Sequence, residues 1–194
     1  MEKVVTLENG KNVTIRELKK DDADAVFAFF ARLPAEDRKY LRVDVTKYEM
    51  LTHRYQDVIE NRARRLVAED DGEIVADGAL ELKGHGWGEH IGEMRLIVAR
   101  PYHRQGLGSK LARELYFPAA EHKVDRIVVR MMKPQIGAQH IMKRLGFHDE
   151  FCIPKQVRDQ EGNWQDLIIM RCNLEDLWSE MEGALADSDW RRHR

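Results

Sequence analysis

Apolar and polar positions change period several times along the chain, and each change marks an element. Residues 4–7 and 13–16 are short β-branched runs separated by Glu8, Asn9, Gly10 and Lys11. Asn-Gly between two such runs predicts a hairpin. The period then becomes helical: Ala25, Val26, Phe29 and Phe30 share one side of a segment capped by Asp21 or Asp22. Pro34 restarts a short helix, and residues 46–59 predict another. Residues 66–69 and 74–76 flank Asp70, Asp71, Gly72 and Glu73, a second hairpin. Gly84, Gly86 and Gly88 punctuate a loop before an apolar strand at 94–99 and an amphipathic helix around 110–115. A strand at 126–131 follows, then a helix opened by Pro134 and closed at Leu145-Gly146-Phe147, with Gly146 as its cap. Strands at 151–157 and 164–170 flank the turn Asp159-Gln160-Glu161-Gly162. A last helix at 174–185 aligns Leu177, Trp178, Met181 and Leu185.

This order predicts one α/β (α+β) domain over residues 1–173. Its central sheet is mixed, mostly antiparallel, with a single parallel crossover and helices on its faces. Residues 174–194 form a C-terminal helix and basic tail, and Trp178 there either caps its own core or joins a second subunit as a homodimer. The 43% hydrophobic and 34% charged content suits a folded core with a solvated surface. A net charge of −2 offers no global field for nucleic acid or anionic membrane. Arg62-Ala63-Arg64-Arg65 and the tail Arg191-Arg192-His193-Arg194 read as a solvated face and a frayed end. No apolar run approaches the ~20 residues that span a bilayer, and residues 1–6 lack the apolar core of a secretion signal. Cys152 and Cys172 have no spacing pattern and read as buried free thiols in a reducing cytoplasm.

The candidate chemistry sits between the strand at 94–99 and the helix that follows. His103, Arg104, Gln105, Gly106, Leu107, Gly108 and Ser109 turn the chain there, followed by Lys110. A glycine-rich turn feeding a helix aims several unpaired backbone amides one way, and the helix dipole adds to their pull on a phosphate. Glycine keeps Cβ atoms out of the way of the phosphate oxygens. A P-loop needs Gly-Lys-Ser/Thr, whereas here Ser109 precedes Lys110. A dinucleotide fingerprint needs a third small residue where this chain has Leu111.

The run His103-Arg104-Gln105-Gly106-Leu107-Gly108 instead resembles motif A of the GNAT superfamily of acyl-CoA-dependent N-acetyltransferases, Arg/Gln-x-x-Gly-x-Gly/Ala, with His103 where arginine or glutamine is usual. Lys143-Arg144-Leu145-Gly146-Phe147 is similar to that family's second hallmark, and the element order matches over residues 4–170. The resemblance implies that the turn's amides hold the diphosphate of acetyl-CoA, the co-substrate. It also implies that the pantetheine arm runs along Leu96, Ile97 and Val98 like an added strand.

An amine must be neutral to attack a thioester, and a lysine-like amine has a pKa near ~10.4. A positioned base therefore helps, and Glu93, at the start of the strand, stands where many GNAT enzymes keep one. Its alternative is a surface carboxylate paired with Arg95. The amide of Ile97 or Val98 is the expected donor to the developing oxyanion. Met142 occupies the position of the family's usual tyrosine, the acid for the leaving thiolate, so water, His140 or His148 would serve. Gln135 lies near the place of a usual asparagine. His85, Glu89 and His90 lack metal-ligand spacing, and no metal is expected.

The segment from Phe29 to Arg42 resembles bacterial Pat-type protein-lysine acetyltransferases, with one residue more between arginine and tyrosine. That implies a protein lysine as acceptor. The other readings are a small-molecule amine acetyltransferase and a catalytically silent acyl-CoA-binding sensor or scaffold.

Overall fold

The computed structural model of this 194-residue chain describes residues 2–82 and 84–176. Eight strands form one sheet: β1 (Glu2–Thr6), β2 (Asn12–Glu17), β3 (Ala63–Asp70), β4 (Glu73–Leu82), β5 (Ile91–Val98), β6 (Arg126–Met132), β7 (His148–Arg158) and β8 (Trp164–Asn173). Their spatial order is β1-β2-β3-β4-β5-β6-β8-β7, antiparallel throughout except between β5 and β6. The two predicted hairpins close where Gly10 and Asp71-Gly72 adopt positive φ. The crossover between β5 and β6 carries α4 (Leu107–Glu114) and α5 (Tyr116–Glu121). The sequence predicted one helix here. Pro118 explains the break, because its ring would collide with the Glu114 carbonyl in a continuous helix.

Each face of the sheet has its own core. On one face Leu66, Ala68, Leu80 and Met94 pack with Leu107, Leu111, Leu115 and Tyr116, and with Met142 and Leu145 of α6 (Ile136–Arg144). On the other, Val67, Ile74 and Ile97 meet Val26, Phe29 and Phe30 of α1 (Ala23–Arg32), then Leu33 and Val45. Fully burying each such aliphatic or aromatic side chain contributes about 1.5–3 kcal/mol. Phe29 and Phe30 are thus core residues, packed edge to face at 5.0 Å. The same face carries α2 (Ala35–Arg38) and α3 (Glu49–Ile59).

Several expectations shift for local reasons. The third helix starts at Glu49 rather than 46, because Asp44 Oδ1 accepts the Thr46 amide at 3.1 Å and holds a turn. Cys152 is exposed, since β7 lies at the sheet edge; Cys172 is buried in the core, and both thiols are free. Leu174 is buried, and its amide reaches the Asp125 carbonyl. Residues 177–194, which include most of the expected last helix and the basic tail, lie outside the described residues. None of the described helices is long and apolar enough to cross a membrane.

Asp22 stands at the start of α1 but does not cap it with its side chain. Its carboxylate takes both prongs of the buried Arg16 guanidinium, at 2.7 and 2.9 Å, and the Lys19 amide at 2.7 Å. Arg16 also reaches Glu69 of β3, so this cluster joins the first hairpin to both the sheet and α1. Burial works to raise the Asp22 pKa, but the Arg16 bonds and the Lys19 amide outweigh it and hold the value below the usual 3.8. Its contribution to stability is therefore complete above that pH and fades as pH falls towards the lower folded value. Replacing Asp22→Asn leaves Arg16 half-paired and is expected to cost about 2–3 kcal/mol at pH 7. The variant should show a lower melting temperature at neutral pH, with the difference from wild type shrinking below pH 4. An equal difference at both pH values would refute this account.

Candidate active site

The site begins where two neighbouring strands stop pairing. The parallel register of β5 and β6 covers only Ile91↔Arg126, Gly92↔Ile127 and Glu93↔Val128, although both strands continue. The bond from the Ala99 amide to the Val75 carbonyl, at 2.9 Å, fixes the phase on the other side of β5. With the register Ile97↔Asp77, Arg95↔Ala79 and Glu93↔Glu81, those odd-numbered residues exchange backbone bonds with β4. Leu96 and Val98 turn their backbone groups into the gap. This separates the predicted contact residues: the Ile97 amide belongs to the sheet, whereas Leu96 and Val98 line an open strand edge. His103 Nε2 donates to the Val98 carbonyl at 2.8 Å, which assigns the proton to Nε2 because a carbonyl only accepts.

The glycine turn lies at the far end of that edge. Arg100–Tyr102 forms a single 3-10 turn held from two sides. Arg100 grips Asp37 and Glu36 at 2.8–3.0 Å, and Tyr102 and Lys11 both bond Asp70. Arg104 (φ 56) and Gly106 (φ 81) then take left-handed conformations that swing the chain into α4. The first helical bond runs from the Lys110 amide to the Gly106 carbonyl, so the amides of Leu107, Gly108 and Ser109 are free of it. Gln105 turns its side chain inward to the Pro101 carbonyl at 2.7 Å, and Leu107 anchors in the core. A Cβ on Gly108 would meet Ile141 of α6 and Val98 of β5 at an ordinary 3.6 Å, so this glycine lies between the two walls of the gap. These donors, beside Lys110 and an unpaired strand edge, fit a diphosphate followed by an extended amide-bearing arm. The carboxylate of Glu8, from the first hairpin turn, approaches Gly106, a neighbour that sequence spacing did not reveal.

Glu93 lies at the point where β5 and β6 part, on the α1–α3 face. Its partner is not Arg95. Arg42 bonds Glu93 Oε1, and Arg130 of β6 donates to Oε2 at 2.7 Å, leaving the side chain 12% exposed. Arg95 pairs with Glu81 at 2.8 Å. Glu81 and Glu93 stand directly opposite each other across β4 and β5, an arrangement that needs cations to offset like-charge repulsion. Deeper under α3, Arg54 and Arg65 meet the buried Asp77 at 3.0 and 3.4 Å. Burial lowers the pKa of both Arg65 and Arg95, with Asp77 and Glu81 respectively pulling back. Burial also pushes the Tyr55 hydroxyl up to about 12. Arg65 is thus a buried charge, not part of the solvated face predicted for residues 62–65. Arg62 and Arg64 of that run are also engaged, by Asp57 and Glu60 and by His122.

Residues 33–42 form a strap across the site. Glu36 and Asp37 hold the loop after β5, Arg42 holds Glu93, and Lys39 and Leu41 bond the β7–β8 turn through Glu161 and Gln160. The positions of Arg42 and Arg130 escaped sequence reading because the β5–β6 register sets Arg130 beside Glu93 and the path of the strap sets Arg42 there. Met142 is buried in the core and has no proton to give; His140 and His148 are exposed. Gln135 Oε1 takes the Met132 amide at 2.7 Å and so closes the turn into α6. His85, Glu89 and His90 remain on the loop before β5, and no metal-binding group of three His, Cys, Asp or Glu occurs among the described residues.

Comparisons with known proteins concern the fold and the family. No curated protein matches the chain in sequence. In structure the chain is similar to the GNAT domain of S. lividans PAT (TM-score 0.72, 16% identity, covering 89% of this chain and 96% of that one). It is also similar to a putative acetyltransferase from Salmonella typhimurium solved with its cofactor acetyl-CoA (0.67, 22%, 84% and 95%). A third likeness is to a spermidine N-acetyltransferase chimera from Vibrio cholerae and hSSAT (0.70, 18%, 86% and 98%). At such identities these likenesses show the fold. The model of the acetyltransferase (GNAT) family matches residues 28–147, which hold the strap, the parting strands, the glycine turn and α6. The chain belongs to the GNAT family of N-acetyltransferases.

Proposed function

We propose that this protein transfers an acetyl group directly from acetyl-CoA to a primary amine, with Glu93 as general base. The observation that carries the reading is the alignment of three features along β5. A cup of amides lies at its far end, an open strand edge follows at Leu96 and Val98, and a carboxylate stands where the strands part. The turn's amides and Lys110 hold the diphosphate, and the open edge pairs with the pantetheine arm. The thioester then reaches the neighbourhood of Glu93.

The amine nitrogen attacks the thioester carbonyl carbon, and Glu93 takes its proton, directly or through a water. Both Glu93 oxygens carry arginines, so the incoming amine takes the place of Arg42 or Arg130 on one of them. An open β5 amide, Leu96 or Val98, steadies the oxyanion. The carbon–sulfur bond then breaks, and coenzyme A leaves as a thiolate. A thiol of pKa ~8.5 needs little help, so a buried Met142 in place of a tyrosine is no obstacle.

The strap at residues 33–42 supports a protein lysine as the acceptor, by its likeness to the Pat-type run. A small amine is the alternative acceptor. A second reading, an acyl-CoA-binding sensor without turnover, is favoured by the two guanidiniums seated on Glu93. Two free thiols, one of them exposed, fit a cytoplasmic setting.

Glu93→Gln is expected to lower kcat about 10²–10⁴-fold while calorimetry shows acetyl-CoA binding as in wild type. Unchanged turnover would remove Glu93 from the mechanism, and no turnover in wild type with any amine would favour the sensor. Gly106→Ala forces a side chain into a left-handed conformation that costs about 1–2 kcal/mol, so the cup should distort and coenzyme A affinity fall roughly tenfold or more. Glu8→Gln removes a negative charge beside the cup and is expected to tighten coenzyme A binding by roughly threefold to fivefold. Titration calorimetry at low salt checks both, and unaltered affinities would place the diphosphate elsewhere.

A further inference from the structure

Every carboxylate next to Glu93 on this face of the sheet, like Glu93 itself, is met by arginine. Among the described residues, Arg42, Arg54, Arg65, Arg95 and Arg130 share that face with Asp77, Glu81 and Glu93. Arg42, Arg95 and Arg130 are each 35–39% exposed and reach the solvent side of the site. The Arg95 Nε is buried and has no partner. Arg42 and Arg130 each spend a donor on Glu93, and an amine arriving there must share or displace those bonds. A simple cationic amine would then leave one guanidinium unpaired next to its own positive charge. A polyamine would add still more charge of the same sign.

From this we infer that the acceptor carries a carboxylate close to its amine: the amine lies on Glu93, and the carboxylate lies on Arg42 and Arg130. The exchange keeps charges matched. Glu93 gives up an arginine and gains the amine, while the freed arginine gains the acceptor's carboxylate. The flat, forked guanidinium suits a carboxylate in two-point contact. The inference rests on the role proposed for Glu93 and names the class of amine that Glu93 serves. Two sources share this chemistry: a free amino acid, and a protein amine flanked by an acidic side chain.

The test uses the purified full chain with acetyl-CoA and matched acceptors. One arm compares free amino acids with their carboxamides and with the corresponding decarboxylated amines. A second compares peptides in which a lysine or an N-terminal amine lies beside glutamate or beside glutamine, and spermidine completes the set. The expected result is a kcat/KM about tenfold or more higher for the carboxylate member of a pair, carried mainly by KM. The arm showing the preference names the source. In Arg42→Gln and Arg130→Gln the preference ratio should collapse towards one, and Arg130→Lys should restore part of it. Melting curves establish that each variant is folded; should one fail to fold, the wild-type ratios decide alone. Equal or better use of carboxamides, decarboxylated amines or spermidine overturns this inference and leaves the transferase standing. So does a preference undiminished in folded arginine variants. Acetylation of no acceptor at all overturns both the inference and the transferase.

Discussion

A strand that loses its neighbour halfway along exposes backbone donors and acceptors that require a partner, and β5 does so beyond Glu93. The two strands are joined at one end only. Close pairing at Ile91 to Glu93 joins β5 to β6, and β8 pairs along the whole of β6 to hold it in place. Farther along, Gly108 of α4 lies close to Val98 of β5 and Ile141 of α6. Once that edge is open, the positions of the glycine turn at one end and Glu93 at the other follow from the course of a single strand.

Electrostatics governs the opposite side of the same strand. Placing Glu93 at the parting point sets it directly across from Glu81, and the repulsion is answered by arginines drawn from three elements: Arg42 from the strap, Arg95 from β5 and Arg130 from β6. The strap is consequently structural and chemical at once. Its acidic residues lock the loop after β5, and its basic residues reach Glu93 and the β7–β8 turn. The likeness of that run to the Pat-type pattern thus falls on the segment that touches Glu93, the loop after β5 and the β7–β8 turn.

The position of nearly every element was legible in the pattern of apolar residues, because hairpins closed by Asn-Gly and Asp-Gly and helices with one apolar face are decided by neighbours in the chain. The glycine turn was legible too, since the left-handed Gly106 and the free amides after it are local properties. Misjudged features depended on distant atoms. Asp22 binds Arg16 rather than capping a helix, Cys152 is exposed because β7 lies at an edge, and Arg65 is buried under α3.

The sequence by itself therefore determined the elements, the phosphate-suited turn and the presence of a carboxylate on the strand leading to it. Only the tertiary structure decided which backbone amides face the gap and which charges meet that carboxylate. The phase of β5 depends on its pairing with β4, and the two arginines on Glu93 come from positions 51 and 37 residues away. Periodicity records which side of an element is buried; it holds no record of which element lies opposite.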